Sequence, residues 1–160
     1  MIEFGGMQDK EKYSDTLPKK YMASGALITN ETGEVMILYT TYKDRWEIPG
    51  GIVEANESPR DACRREIKEE LGLDLEVGRL LCVDYSINVE DVENLQFIFD
   101  GGVLSQEQID QIVLADGEIK SFSFLLDKKE MMQRERLGPR LIKSLEAKEK
   151  GTCYYLEKGE

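Results

Sequence analysis

The chain has 160 residues, with 21 Lys+Arg against 32 Asp+Glu and a formal net charge of −11. That length suits one domain able to fold around its own core without a disulfide or zinc staple, and a hydrophobic fraction of 41% is that of a globular protein. The acidic balance excludes the Lys/Arg-rich surface that duplex nucleic acid or an anionic membrane selects, and no run approaches the ~18 apolar residues of a membrane span.

Residues 1–19 are polar and contain Pro18, which predicts an N-terminal arm. MIEFGGMQDKEKY lacks a basic segment followed by an apolar one, so a cytoplasmic location is expected. KYMASGALITN (Lys20–Asn30) reads as a strand, Glu31–Gly33 as a turn, and the β-branched VMILYTT (Val35–Thr41) as a second, antiparallel strand. Trp46–Ile48 is a short extended piece stopped by Pro49-Gly50-Gly51. Helix signals then cluster: Ser58 as N-cap, Pro59 at the first helical position and Gly72 just beyond Leu71, which predicts a helix over 59–71. Leu75–Ile87, Leu95–Leu104 and Ile119–Leu126 read as further strands, and Pro139–Lys150, ended by Gly151, as a helix. Strands and helices interleave, so the expected fold is a single α/β domain with a mixed sheet and helices on its faces.

Two absences narrow the chemistry. The chain has no histidine, which removes Ser–His–Asp and Cys–His catalysis and His-based metal sites. Cys63, Cys82 and Cys153 are odd in number and widely spaced, with no zinc or disulfide pattern. Chemistry in this chain must run on carboxylates.

The predicted 59–71 helix places Glu66, Glu69 and Glu70 at i, i+3 and i+4, on one face, with Cys63, Ile67 and Leu71 as the adjacent apolar stripe. Like charges so spaced destabilise a helix by about 0.2–0.5 kcal/mol per pair, and anions crowd toward the end where the macrodipole disfavours them. The triplet alone leaves two readings open. One is a solvated acidic face offset by Arg64, Arg65 and Lys68; the other is a hard-cation site, since carboxylate oxygens suit Mg²⁺ or Mn²⁺. An EF-hand is excluded by the lack of its loop.

The longer segment GIVEANESPRDACRREIKEELGL, residues 51–73, separates the two. Gly51, Glu57, Arg65-Glu66-Ile67, Glu69-Glu70 and Gly72-Leu73 stand at the spacing of the Nudix box, and Trp46-Glu47-Ile48-Pro49-Gly50 leads into it. The chain therefore resembles the Nudix hydrolase (MutT-like) family, with weaker echoes in FIFDGGVL and in Glu118 before IKSFSFLL. The resemblance implies the family's α/β/α sandwich over residues 20–160. It also implies divalent-metal-dependent hydrolysis of a pyrophosphate bond in a nucleoside diphosphate linked to another moiety.

Carried over residue by residue, the resemblance makes Glu66, Glu69 and Glu70 ligands of Mg²⁺ (or Mn²⁺), with the Gly50 carbonyl added from the loop. Arg65 would orient a carboxylate by a charge-assisted hydrogen bond, or simply neutralise the acidic helix. Glu57 would hold the loop or reach toward the metal, or serve as a negative charge at the helix start. Glu118 is a candidate general base or outer ligand, or a turn residue in Asp116-Gly117-Glu118. Such a site needs no covalent intermediate, because two metals neutralise the phosphate oxygens and activate water directly.

The substrate is not encoded beyond a nucleotide-type small molecule. Tyr39, Tyr42, Trp46, Tyr85 and Phe97 are open to core packing or to stacking on a base, and NVEDVEN (Asn88–Asn94) to a solvated loop or a lid. The locally basic Arg134–Lys150 stretch is open to a solvated helix face, a phosphate contact or a homodimer partner. An alternative function also stands: a Nudix-like nucleotide-binding or regulatory domain without turnover. Its expected mark is a broken box, and this box is intact.

Overall fold

The computed structural model describes residues 13, 15–88 and 91–160. Most of the expected arm over residues 1–19 lies outside the described residues. The described chain runs β1 (Tyr21–Asn30), β2 (Val35–Thr40), β3 (Arg45–Glu47), β4 (Gly50–Ile52), α1 (Pro59–Leu71), β5 (Leu80–Ile87) and β6 (Glu93–Leu104). It continues through α2 (Gln106–Asp110), β7 (Ile119–Leu125), α3 (Lys128–Met132), α4 (Leu137–Lys150) and β8 (Tyr154–Glu157).

One mixed sheet has the order β3-β2-β1-β6-β5-β8, with β4 also pairing β1 and β7 also pairing β2. β1–β6 and β5–β8 are parallel and the other pairs antiparallel. Ala26, Leu27 and Ile28 of β1 and Val35 to Leu38 of β2 are all fully buried. Such unbroken apolar strands are what a sheet covered on both faces requires. Alternate residues serve opposite layers: Ala26, Ile28, Met36 and Leu38 pack with Cys63, Ile67 and Leu71 of α1. Leu27, Val35 and Ile37 pack with Leu137, Leu141 and Ala147 of α4. The expected α/β/α sandwich and its mixed sheet are thus present.

The 59–71 helix forms as its signals require. Ser58 Oγ accepts from the Asp61 N–H at 3.1 Å, Pro59 occupies the first turn, and Gly72 at φ 70° caps the far end by donating to the Lys68 carbonyl at 3.0 Å. Elsewhere the boundaries move. The strand expected over 75–87 begins only at Leu80. Leu75 is instead buried in the α1 layer, and Arg60 Nη1 donates to the carbonyls of Val77 (2.7 Å) and Gly78. Glu93 and Asn94 belong to β6 and pair with Ile87 and Ser86, so the 88–94 loop shortens to 88–92, of which 89–90 lie outside the described residues. Arg140 of α4 is not part of a solvated basic face. It is 6% exposed and donates to the carboxylate of Asp84, whose other oxygen accepts from the Gly159 N–H at 3.0 Å.

Candidate active site

The site is built where β4 crosses beneath α1. Gly50 and Gly51 pair with Gly25 and Ser24 of β1, and three close approaches exclude side chains there. A Cβ on Gly50, whose φ is +150°, would lie 2.3 Å from the Ser24 carbonyl oxygen, and one on Gly25 would lie 2.9 Å from the Pro49 oxygen. A Cβ on Gly51 would lie 2.3 Å from Glu66 Oε1. The two glycines therefore do more than turn the chain: they let the backbone of β4 approach the acidic face of α1 with nothing between.

The three helix carboxylates occupy different environments. Glu70 is 5% exposed and accepts from the Gly50 N–H at 2.8 Å. Among the described residues no lysine or arginine lies within ion-pair distance of it. Burial pushes its pKa up to about 8; the Gly50 hydrogen bond and Lys43 oppose the shift, while Glu66 and Glu118 add to it. Glu66 is half-buried, and burial raises its pKa against the pull of Arg65. Glu69 points outward, with its side chain 58% exposed.

Arg65 organises the outer part of this cluster. Its Nε and Nη2 donate to the two oxygens of Glu57 at 2.9 and 3.1 Å, a two-pronged match that only a guanidinium supplies. Nη1 donates to Glu66 at 2.8 Å and Glu69 at 3.0 Å, and Nη2 also reaches the Ile52 carbonyl at 3.1 Å. Glu57 in turn accepts from the Glu54 N–H at 3.0 Å, and the Arg65 hydrogen bonds, helped by this one, hold its pKa below the usual carboxylate range. Arg65 thus bridges loop and helix instead of only diluting charge, and Glu57 is its loop-side anchor.

Among the described residues no three carboxylates or thiols are gathered closely enough to hold a metal ion as they stand. Arg65 draws Glu66 and Glu69 to itself, while Glu70 turns to Gly50. The donor set still suits a hard divalent ion. It is all oxygen, and it includes a buried carboxyl with no ion-pair partner among the described residues, beside glycine backbone that a Cβ would obstruct.

Glu118 is exposed, at the turn before β7. Its charge nevertheless acts on both Glu66 and Glu70. Its place follows from how the 113–118 segment closes the end of α1. The Val113 and Ala115 N–H groups donate to the carbonyls of Leu71 (2.9 Å) and Glu70 (3.1 Å), which a helix end leaves unpaired. Thr41 then fastens the turn, its N–H donating to the Glu118 carbonyl at 2.9 Å. No spacing rule in the sequence announces this clasp. Lys43 was also missed, because a lone lysine in a turn carries no motif.

The aromatic candidates separate by burial. Trp46 packs against the α4 layer and meets Tyr39 edge-on at 5.1 Å, and Phe97 joins the α1 layer. The Tyr85 hydroxyl donates to Glu93 at 2.5 Å. Tyr42 is 63% exposed, and partial burial together with the charges of Glu70, Glu47, Glu66 and Glu118 pushes its phenol pKa up. Burial also raises the thiols of Cys63 and Cys82, to about 12 and about 11, which makes them packing groups and poor nucleophiles.

A family model described as NUDIX domain matches residues 19–147. Among solved structures, a MutT protein from Methanosarcina mazei Go1 superposes with a TM-score of 0.66 at 23% identity, covering 85% of this chain and 99% of that one. A UDP-X diphosphatase superposes with a TM-score of 0.70 at 20% identity, covering 92% and 75%. Both likenesses speak to the fold. Among curated relatives, the m7GpppN-mRNA hydrolase of Saccharomyces cerevisiae is 36% identical over 70 residues, 43% of this chain and 7% of that protein. The RNA pyrophosphohydrolase of Pseudomonas fluorescens is 37% identical over 57 residues, 36% of each. The chain thus spans well under two thirds of either relative's length.

Proposed function

Because this chain belongs to the Nudix family, we propose that it is a pyrophosphohydrolase that uses Mg²⁺ (or Mn²⁺) to cleave a nucleoside diphosphate linked to another moiety. The observation that carries this reading is Glu70: a buried carboxylate, hydrogen-bonded to Gly50 and lacking a cationic partner among the described residues, at the centre of an intact box. An isolated buried carboxylate is costly unless it is neutralised; a proton does this without metal, and a divalent ion held by Glu66 and Glu70 would take the proton's place.

Glu66 and Glu70 are the ligands this reading places innermost, with Glu69 at the outer side and the Gly50 carbonyl from the loop. A divalent ion held there would supply charge neutralisation for the phosphate oxygens and would acidify the attacking water. Arg65 holds Glu66 on the side of α1 that faces Gly51 and, through Glu57, ties the loop to the helix. Glu118, whose charge acts on Glu66 and Glu70, would take the proton from the attacking water or support an outer ligand. If Glu118→Gln keeps kcat within about threefold of the parent, its role is structural, since losing a general base typically costs about 10²–10⁴-fold.

The test is a substrate panel with millimolar Mg²⁺ or Mn²⁺: ADP-ribose, a dinucleoside polyphosphate, a nucleotide sugar, (d)NTPs and 5′-triphosphorylated RNA. The last is included because relatives are named RNA pyrophosphohydrolases. Turnover of at least one member, abolished by EDTA, is expected. Binding without turnover across the panel would favour the regulatory alternative. No helix among the described residues is long and apolar enough to cross a membrane.

A further inference from the structure

One buried hydroxyl joins the three segments that build the site. Ser24 of β1 is 3% exposed and stands opposite Gly51 in the β1–β4 pairing. Two residues before Ala26, it shares the face of the strand that packs on α1. Its Oγ donates to the Pro59 carbonyl, in the first turn of α1, at 2.5 Å. Cys63, one turn further along, is also a hydrogen-bond partner of Ser24. Backbone and side chain of one residue thus fix β4 and α1 together.

This tie differs from those that α1 makes to β4 itself. Glu70 accepts from the Gly50 N–H at 2.8 Å, and Arg65 donates to the Ile52 carbonyl at 3.1 Å. Both bonds use side chains of the carboxylate cluster, which an entering ion would also engage. The Ser24 bond uses none of them, so it holds the helix whether or not the cluster is occupied. Pro59 and Glu66 are seven residues apart, about 10 Å along a rigid helix, so an anchor at the first turn is carried to the carboxylate. The clearance there is small, since a Cβ on Gly51 would lie 2.3 Å from Glu66 Oε1. Groups that bind an ion need to be held within about 0.5 Å of their productive geometry.

We propose that Ser24 is a positioning residue for the divalent ion, setting the height of α1 over β4 and so the gap between Glu66 and the glycine backbone. This rests on the reading of the carboxylate cluster as an ion site. The hydroxyl is committed to α1, and it acts through Glu66. Its loss is mild for the fold, because the Pro59 carbonyl keeps the N–H that a helix supplies from four residues on. Ser24→Ala therefore strands no buried group.

Ser144 supplies a matched control. It is a fully buried serine whose Oγ lies 3.3 Å from Cys82 Sγ, which joins α4 to β5 in the opposite layer. The test is the Mg²⁺ dependence of the melting temperature, which reads affinity without turnover, checked by calorimetric titration of Mg²⁺ into the full chain. Ser24→Ala weakens Mg²⁺ binding about tenfold, the low end for groups that orient a metal ligand. Ser144→Ala leaves it within about twofold, although both variants melt lower in EDTA. Ser24→Thr keeps the hydroxyl and the parent affinity. Parent-like Mg²⁺ binding by Ser24→Ala, or equal weakening by both alanine variants, overturns the proposal while the ion site stands. A Ser24→Thr protein as weak as Ser24→Ala overturns it too, because the hydroxyl would then not be the group that matters. A parent without a Mg²⁺-dependent shift removes the ion site itself, and this role with it.

Discussion

Glu70 and Asp84 are the two carboxylates buried below a tenth of their exposure among the described residues, and they lie in opposite layers of one sheet. Asp84 is satisfied from within the protein: Arg140 donates to one oxygen and the Gly159 N–H to the other. Glu70 receives a single backbone N–H, from Gly50. Asp84 ties β5 to α4 and to the chain's end, so its charge is spent on structure. Burial instead holds Glu70 largely protonated near neutral pH, so its carboxylate is left to be ionised by a bound cation and not by a residue of the protein. A buried acid with a partner is architecture; one without a partner is where chemistry is to be sought.

The widest separation between the two layers should appear in turnover. On the panel substrate that the parent cleaves, Glu70→Gln and Glu66→Gln should each cut kcat by about 10²-fold or more, with circular dichroism showing an intact fold. Arg140→Met should do the reverse. It strands Asp84 as an unpaired buried charge, at a cost of about 3–5 kcal/mol in denaturant melts, while kcat of the remaining folded protein stays near the parent value. Equal losses of activity from both layers would dissolve the distinction.

Gly51→Ala probes the close approach directly. Its Cβ would fall 2.3 Å from Glu66 Oε1, so the carboxylate must move, and Mg²⁺ affinity should fall roughly 10–100-fold, the range for disturbing the groups that orient a ligand. Titrating activity against Mg²⁺ reads this; unchanged dependence would place Glu66 outside the ion site.

A smaller effect concerns pH. The pKa of Glu70 is about 8 in the folded protein against an ordinary 4.5, so between those values the folded state keeps a proton that the unfolded chain has released. Stability without metal should therefore fall as pH rises from 5 to 8. Glu57, held low by Arg65, acts below that window. Thermal melts in EDTA should show the decline in the parent and a flatter profile in Glu70→Gln; identical slopes would mean that Glu70 is not the group titrating.

Much of this was legible beforehand because it is local. The cap at Ser58, Pro59, Gly72 and the 3.6-residue period fix α1 from sequence alone, and the box spacing nominates its carboxylates. The expectation that three glutamates act as one face was too simple. Helix geometry puts them together, but the approach of β4, a contact between distant segments, buries Glu70 and leaves Glu69 outside. The same holds for Arg140, whose partner is 56 residues away, and for β8, which becomes a strand by pairing with β5. Helix α2 was readable in principle from the Ser105–Gln108 capping box, but with five residues it lacks the apolar period that marks longer helices.

The most direct measurement is the Mg²⁺-dependent shift in melting temperature, at matched ionic strength, for the parent, Glu70→Gln and an exposed-surface control such as Glu107→Gln. Specific binding stabilises by RT ln(1 + [L]/Kd), about 2.7 kcal/mol at a hundredfold excess over Kd. The expected result is a clear rise for the parent and the control, and little or none for Glu70→Gln. In EDTA at pH 8, Glu70→Gln should be at least as stable as the parent, because removing the unpaired charge relieves repulsion of about 0.2–0.5 kcal/mol per like-charged pair. Equal Mg²⁺ shifts in all three proteins would contradict the assignment, because the cation would then be held somewhere other than at Glu70.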